Sequence, residues 1–226
     1  MSTTLVESHG HSHGDHEHNP RHQHHFATME QQFDSAKIGM WLFLATEVLL
    51  FGGLFVGFGL MQGQHPEAFK AAHHHLDKRL GFLNTIVLLV SSWTMVMAVH
   101  SASINKRKAL IGFLIATLLC AGTFMVVKYF EYEHKIHEGT LPGKYYSYKG
   151  PHEDKERLFF SFYFMMTGLH GFHVLGGMVG ISWLLFMAAK GAFSAAWYTP
   201  VDLLGLYWHL VDLIWIYLFP LLYLIQ

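Results

Sequence analysis

Residues 159–178 read FFSFYFMMTGLHGFHVLGGM, and this stretch indicates what kind of protein the chain forms. It is apolar and long enough to cross a bilayer, since about 20 helical residues span a hydrocarbon core of roughly 30 Å. Two histidines, His170 and His173, lie near its middle, three residues apart and so on one face of a helix. Its glycines allow another helix to come close. The pattern fits a ligand pair, a proton relay or a packing seam.

Apolar blocks of similar length recur along the whole chain. It has 226 residues, of which 52% are hydrophobic and 15% aromatic, and its formal net charge is −1. The hydrophobic residues form blocks of about 20 or more instead of the stripes and alternations of a soluble protein. We therefore predict an all-α integral membrane protein, a bundle of five transmembrane helices. The predicted spans cover about residues 35–60, 80–101, 109–132, 158–188 and 200–225.

A polar, histidine-rich tail over residues 1–33 precedes the first span. Such a composition buries too little apolar surface to fold alone, so we predict a flexible tail followed by a membrane domain over residues 34–226. The tail lacks the apolar run of a secretory signal. Imidazoles can capture zinc, copper or nickel, but the irregular spacing favours a solvated tail over a specific site. The metal candidates in the tail are His9, His11, His13, His16 and His18.

Several ionisable side chains are predicted to lie inside the membrane. A charge at the centre of a span costs about 2.5–3.5 kcal/mol, so each group must be neutral, paired, or turned toward protein or water. Three interpretations stay open: a metal site of three histidines and a carboxylate, a proton path through a glutamate, and a polar network that ties helices together. The network is the default. The mid-span residues are Glu47, His170, His173, His209 and Asp212.

Local spacings give further predictions about polar contacts. Lys128 and Glu131 are three residues apart near the end of the third span, which favours an ion pair at the membrane surface. His209 and Asp212 have the same spacing and are predicted to hydrogen-bond to each other or to a neighbouring helix. Candidates for interhelical hydrogen bonds in the second span include Ser91 and Ser92, and the predicted N-cap of the first span is Asp34 or Ser35.

Five stretches of the chain resemble subunit III of the haem–copper oxidases, in the order of that family. They extend over roughly residues 35–225, and the chain is most similar to the five-helix bacterial form. The matching stretches are ATEVLLF (45–51), LNTIVLL (83–89), Glu131-Tyr132, TGLHGFHVLGG (167–177) and YWHLVDLIW (207–215).

The resemblance implies a non-catalytic subunit of a respiratory terminal oxidase. Haem and copper would belong to partner subunits, and none to this chain. Oxygen reduction to water, coupled to proton translocation, is expected in subunit I, with electrons entering through subunit II. The implied partners are oxidase subunits I and II and bound phospholipid, with a larger respiratory supercomplex as a further assembly and no nucleic acid.

The resemblance also implies a multi-pass protein of the bacterial inner membrane. Its N-terminus would be cytoplasmic, in agreement with the basic run Lys106-Arg107-Lys108 in a short loop, and its C-terminus would lie on the opposite side.

The predicted site residues are therefore intramembrane contacts to lipid or to other subunits, without a catalytic or cofactor-binding role. Three alternatives remain open. They are the third subunit of a quinol oxidase or an accessory protein of nitric oxide reductase, a membrane metal carrier that uses the tail, and a membrane enzyme with its own metal centre. The predicted contact residues are Glu47, Glu131, His170, His173, His209 and Asp212.

Overall fold

The computed structural model describes residues 26, 28–73, 76–141, 153–195 and 197–224, with the backbone alone for residues 153 and 154. Within these ranges the chain forms six α-helices and no β-strand. Five of the helices are long and apolar enough to cross a membrane, which confirms the predicted all-α bundle. The helices are α1 (Met29–Gln64), α2 (Pro66–His73), α3 (Lys78–Ser103), α4 (Arg107–His137), α5 (Glu153–Ala189) and α6 (Thr199–Tyr223).

The first helix is longer than the predicted span. α1 has 36 residues. At 1.5 Å per residue it is about 54 Å long, well beyond the hydrocarbon core of roughly 30 Å. It begins at Met29 because the Thr28 hydroxyl accepts a hydrogen bond of 3.1 Å from the Gln31 amide. The predicted caps, Asp34 and Ser35, lie inside the helix, so that prediction was wrong. The preceding residues, MEQQF, include strong helix formers that extend the helix.

A short helix closes one end of the bundle. α2 lies in the connection between the first two long helices, which the sequence indicated only as a polar loop. Its Phe69 is fully buried. The Phe69 ring packs edge-on against Phe58 of α1 and Phe159 of α5, with centroids 5.2 and 5.4 Å away. α2 therefore fixes the end of α1 against α5.

The long helices differ in how much of their surface the bundle covers. In the most apolar segment of each helix, 39% of the residues are buried in α6 but only 17% in α1. α3 packs against α4 and α6, α5 packs against α4 and α6, and α1 lies against α5 and α6. α6 is thus the centre of the bundle, and α1 lies at its edge with much of its apolar face outward.

Glycines bring α5 and α6 into close contact. A Cβ atom on Gly177 would lie 2.5 Å from the Trp208 ring, and one on Gly180 would lie 2.9 Å from the Leu204 side chain. The predicted packing seam is therefore confirmed at these two positions. Gly171 has open space around it, so the seam covers only the second half of the stretch.

Candidate functional site

The six predicted contact residues fall into four separate settings. Glu131 belongs to a cluster at the C-terminal half of α4. Glu47 and His173 form a pair between α1 and α5. His209 and Asp212 contact serines on α3, and His170 lies by itself among aromatic rings.

The α4 cluster consists of Lys128, Glu131, Tyr163 and Tyr223. The Lys128 Nζ donates to a Glu131 carboxylate oxygen at 2.9 Å and to the Tyr223 hydroxyl at 2.8 Å. The other Glu131 oxygen accepts from Tyr163 at 2.8 Å and also from Tyr223. One ion pair thus joins α4 to both α5 and α6.

The cluster is buried inside the bundle. The side chains of Lys128 and Glu131 are 9% and 3% exposed. Their pairing is confirmed, but the prediction of a simple surface ion pair was wrong, because tyrosines from two other helices cover the pair. The Lys128 ammonium also lies 4.6 Å from the centre of the Trp215 ring. Taking charges out of water is tolerated only where hydrogen bonds and ring contacts of this kind replace the lost solvation.

Glu47 and His173 meet across the contact between α1 and α5. The His173 Nε2 lies 2.9 Å from a Glu47 carboxylate oxygen, and both side chains are mostly buried. The His173 Nδ1 lies 2.9 Å from the Leu169 carbonyl oxygen. A carbonyl can only accept, so Nδ1 carries a proton. The Nε2–carboxylate distance is that of an ion pair, but the contact lacks hydrogen-bond geometry, and this Glu47 oxygen has no hydrogen-bond partner among the described residues.

The backbone around His173 is also tied to the central helix. The Tyr207 hydroxyl of α6 donates to the His173 carbonyl at 2.9 Å. The Phe51 ring of α1 packs edge-on against the imidazole, with centroids 5.4 Å apart. Three helices thus set the position of the Glu47–His173 pair.

His209 and Asp212 contact α3. The His209 Nδ1 lies 2.7 Å from the Ser92 hydroxyl. Ser91 donates to Asp212 over a longer 3.5 Å and accepts from the Trp208 indole at 3.1 Å. The predicted role of both serines in interhelical hydrogen bonds is confirmed. Of the two predictions for His209 and Asp212, the contact with a neighbouring helix is the one observed.

His170 lies in an aromatic environment despite its spacing from His173. It is fully buried. Its ring centroid lies 5.5 Å from that of Phe124 and 5.3 Å from that of Trp215. Neither imidazole nitrogen has a hydrogen-bond partner among the described residues. The side chain therefore fills space between α4, α5 and α6.

The histidines of the described helices do not converge on a common point. His173 contacts Glu47, His209 contacts Ser92, and His170 lies between rings. In the described part of the chain no group of three or more His, Cys, Asp or Glu side chains could hold a metal ion. This arrangement does not fit a site of three histidines and a carboxylate. The tail candidates, His9, His11, His13, His16 and His18, lie outside the described residues.

The sequence did not indicate the tyrosines that complete the α4 cluster. Tyr163 and Tyr223 lie within apolar spans and have no spacing that connects them to Glu131. Tyr132 was also not identified as a contact residue, although its hydroxyl lies 2.5 Å from that of Thr167 and links α4 to α5. A usable signal would have been the position of Lys128 and Glu131 inside a long apolar helix, because such a pair needs polar partners there.

The fold and its polar contacts can be compared with known proteins. The family model described as cytochrome c oxidase subunit III matches residues 16–226. A probable quinol oxidase subunit 3 of Staphylococcus saprophyticus is 30% identical over 84% of this chain and 88% of its own length. A probable cytochrome c oxidase subunit 3 of Nocardia farcinica is 29% identical, over 84% and 87%. The cytochrome bo(3) ubiquinol oxidase subunit 3 of Pseudomonas putida is 28% identical, over 83% and 84%.

The family match extends over all five long helices and over every contact residue described above, and together with the named relatives it confirms the resemblance drawn from the sequence. The chain belongs to the cytochrome c oxidase subunit III family.

Proposed function

We propose that the chain is the non-catalytic subunit III of a bacterial haem–copper terminal oxidase, packed against the catalytic subunit and holding structural phospholipid. The match to the subunit III family over residues 16–226 carries this proposal. Haem and copper would be held by subunits I and II. Oxygen reduction and proton translocation would take place there, while this chain stabilises the assembly.

The distribution of polar and apolar groups supports a role in assembly. The charged and hydrogen-bonding groups of the α4 cluster point inward, and long apolar side chains cover the outside, among them Leu49 of α1 at 76% exposed. Between α1 and α6 an outer groove of about 550 Å³ is lined almost entirely by apolar side chains. Such a surface fits acyl chains and the apolar faces of other transmembrane helices.

The contact residues would then have three kinds of role. The α4 cluster with Glu131, together with His170, would stabilise the interior of the bundle. Glu47 and His173 would hold the thinly packed helix α1 in place beside lipid or a neighbouring subunit. His209 and Asp212 would fix α6 on α3.

The electron donor of the complex is either a quinol or cytochrome c. The names of the relatives include both kinds of oxidase. Oxygen uptake by the complex purified through this chain, measured with a quinol and with reduced cytochrome c, would assign the donor. Activity with nitric oxide in place of oxygen would favour the accessory subunit of a nitric oxide reductase.

We place the protein in the bacterial inner membrane with its N-terminus in the cytoplasm. If all five long apolar helices cross the membrane, the two termini would lie on opposite sides. Protease treatment of inside-out and right-side-out vesicles tests this orientation. The N-terminal tail should be cleaved only where the cytoplasmic face is outward, and cleavage on the other face would reverse the assignment.

A purification in mild detergent through an affinity tag on this chain tests the proposed function. We expect haem to co-purify in an amount near that of the chain, together with two larger subunits. A colourless single chain would contradict the proposal. If deletion of residues 1–25 removes a stoichiometric metal from such a colourless chain, the protein is instead a metal carrier that uses its histidine-rich tail. A metal retained after this deletion but lost on replacement of His170, His173 or His209 would indicate a membrane enzyme with its own centre.

A further inference from the structure

A groove of about 370 Å³ between α3 and α6 combines apolar walls with polar side chains. At the membrane surface it is lined by His100 and Ser103, in the last turn of α3, and by Asp202, in the first turn of α6. Deeper in the membrane it reaches His209. The groove therefore has hydrogen-bonding groups at both of its ends.

His209 lies close to the middle of the membrane. It is ten residues beyond Thr199, where α6 begins. Ten residues of helix rise about 15 Å, which is half of a hydrocarbon core of roughly 30 Å. No lipid headgroup reaches this depth.

The outward side of the His209 imidazole has no partner within the bundle. Its Nδ1 lies 2.7 Å from the Ser92 hydroxyl. Among the described residues no hydrogen bond is made by its Nε2, and the half-buried side chain borders both the α3–α6 groove and the adjoining groove between α1 and α6. A polar atom that faces hydrocarbon without a partner is costly, so a hydrogen-bonding group is needed there.

A second groove shows what a surface suited to acyl chains looks like. The groove between α4 and α5 has a similar volume, about 380 Å³. Three of its four polar side chains already have partners: Lys128 binds Glu131, and Tyr132 and Thr167 bind each other. Apart from these residues and the exposed Tyr129, the lining is apolar. The α3–α6 groove differs because its deep polar atom, the His209 Nε2, has no hydrogen-bond partner among the described residues.

We propose that the α3–α6 groove is the docking surface for a transmembrane helix of another oxidase subunit, which presents a hydrogen-bonding side chain to the His209 Nε2. This rests on the proposed function, because it takes the partner from the same complex. A helix fits a groove between two helices by placing its side-chain ridge into it. A polar side chain on that helix satisfies the mid-membrane imidazole, which an acyl chain cannot do.

Photo-cross-linking in the complete complex tests the docking surface. A photoreactive phenylalanine analogue at Val96, which lines the groove and is 45% exposed, is compared with the same analogue at Leu119 of α4, which is 68% exposed. We expect Val96 to form an adduct with a second, different polypeptide, in a yield about tenfold above that at Leu119. An adduct with lipid alone, or with a second copy of this chain, would overturn the proposal.

Substitution of His209 tests the hydrogen bond itself. We expect His209→Leu to lower the haem retained per chain after a stringent detergent wash by about tenfold, while His209→Gln, which can still hydrogen-bond, keeps most of it. Unfolding of the isolated chain is measured alongside, so that a folding defect is recognised. If wild type and both variants retain equal haem, the docking role of His209 is wrong while the proposed function stands. If wild type carries no haem at all, the proposed function itself fails.

Discussion

The α4 cluster and the Glu47–His173 pair both place a carboxyl group beside a basic side chain within the helix bundle, yet their surroundings differ. Glu131 accepts hydrogen bonds from Lys128, Tyr163 and Tyr223. The Glu47 carboxyl group has one close basic neighbour, the imidazole of His173 at 2.9 Å. The first carboxylate is held from three sides, and the second is held mainly from one.

This difference follows from the helices that supply the residues. The α4 cluster lies where α4, α5 and α6 meet, and its ion pair is covered by side chains of all three helices. Glu47 comes from α1, whose most apolar segment is only 17% buried. A fully paired charge cluster suits the interior of a fold, while a carboxyl group with a single close partner at the edge suits a contact with lipid or with a neighbouring subunit. The comparison predicts a large loss of stability at the first site and a loss of function at the second.

The largest effect is expected from breaking the α4 cluster. Glu131→Leu leaves Lys128 buried without its counter-ion, and this should lower the free energy of unfolding by about 3–5 kcal/mol. This free energy is measured by unfolding the purified chain in mixed micelles of increasing SDS content. The double variant Lys128→Met/Glu131→Leu is the matched control, because it removes both charges and should recover much of the loss. If the single variant is as stable as wild type, the cluster does not hold the bundle together.

Pushing α5 away from α6 should have the next largest effect and should disturb the setting of the Glu47–His173 pair. A Cβ on Gly177 would meet the Trp208 ring at 2.5 Å and Tyr207 at 3.3 Å. We expect Gly177→Ala to cost about 1–3 kcal/mol, measured by the same unfolding assay. Gly171→Ala on the same helix is the control, because its added methyl group meets open space. Equal stability of the two variants would mean that close approach of the helices is unimportant.

Neutralising the carboxyl group at the edge of the bundle should change function more than stability. Glu47→Gln keeps the shape of the side chain and removes the ion pair with His173. We expect the free energy of unfolding to fall by about 1 kcal/mol or less. The complex should assemble with normal haem content but lose activity faster during prolonged turnover. Oxygen uptake over many turnovers and the phospholipid content of the purified complex are the measurements. A variant that matches wild type in both would remove Glu47 from the proposed lipid or subunit contact.

The smallest effect is expected at the link between α6 and the backbone of His173. Tyr207→Phe removes the hydroxyl that donates to the His173 carbonyl. Interhelical hydrogen bonds in membranes contribute about 0.6 kcal/mol on average, and a loss of that size is expected in the unfolding assay. Tyr217→Phe on the same helix is the control, because this side chain is 69% exposed, and it should leave the free energy of unfolding unchanged. A loss well above that average would place Tyr207 among the main supports of the pair.

The number and type of the membrane helices could be predicted from sequence because a bilayer leaves few alternatives. Apolar blocks of about 20 residues form helices there, since every backbone polar group must be satisfied within the segment. The ends of the helices were less predictable. α1 begins at a cap at Thr28 and continues through polar helix formers, whose composition does not indicate a membrane span.

The contacts between helices depended on partners that lie far away along the chain. The spacing of Lys128 and Glu131 predicted their pairing, but their burial is produced by Tyr163 and Tyr223, which lie 32 and 92 residues from Glu131. His170 and His173 share one face of α5, yet one meets aromatic rings and the other meets Glu47, because different helices flank the two positions. Helix spacing shows which residues are near each other on one helix, while the neighbouring helices decide what each of them contacts.

Removal of this chain from the assembled oxidase tests most directly the claim that it is a non-catalytic subunit. A harsher detergent, or deletion of the chain, should leave a complex that retains its haem and its initial rate of oxygen uptake, but whose activity decays faster with turnover. The separated chain should carry no haem. An immediate loss of oxygen reduction with haem leaving on this chain would contradict the account.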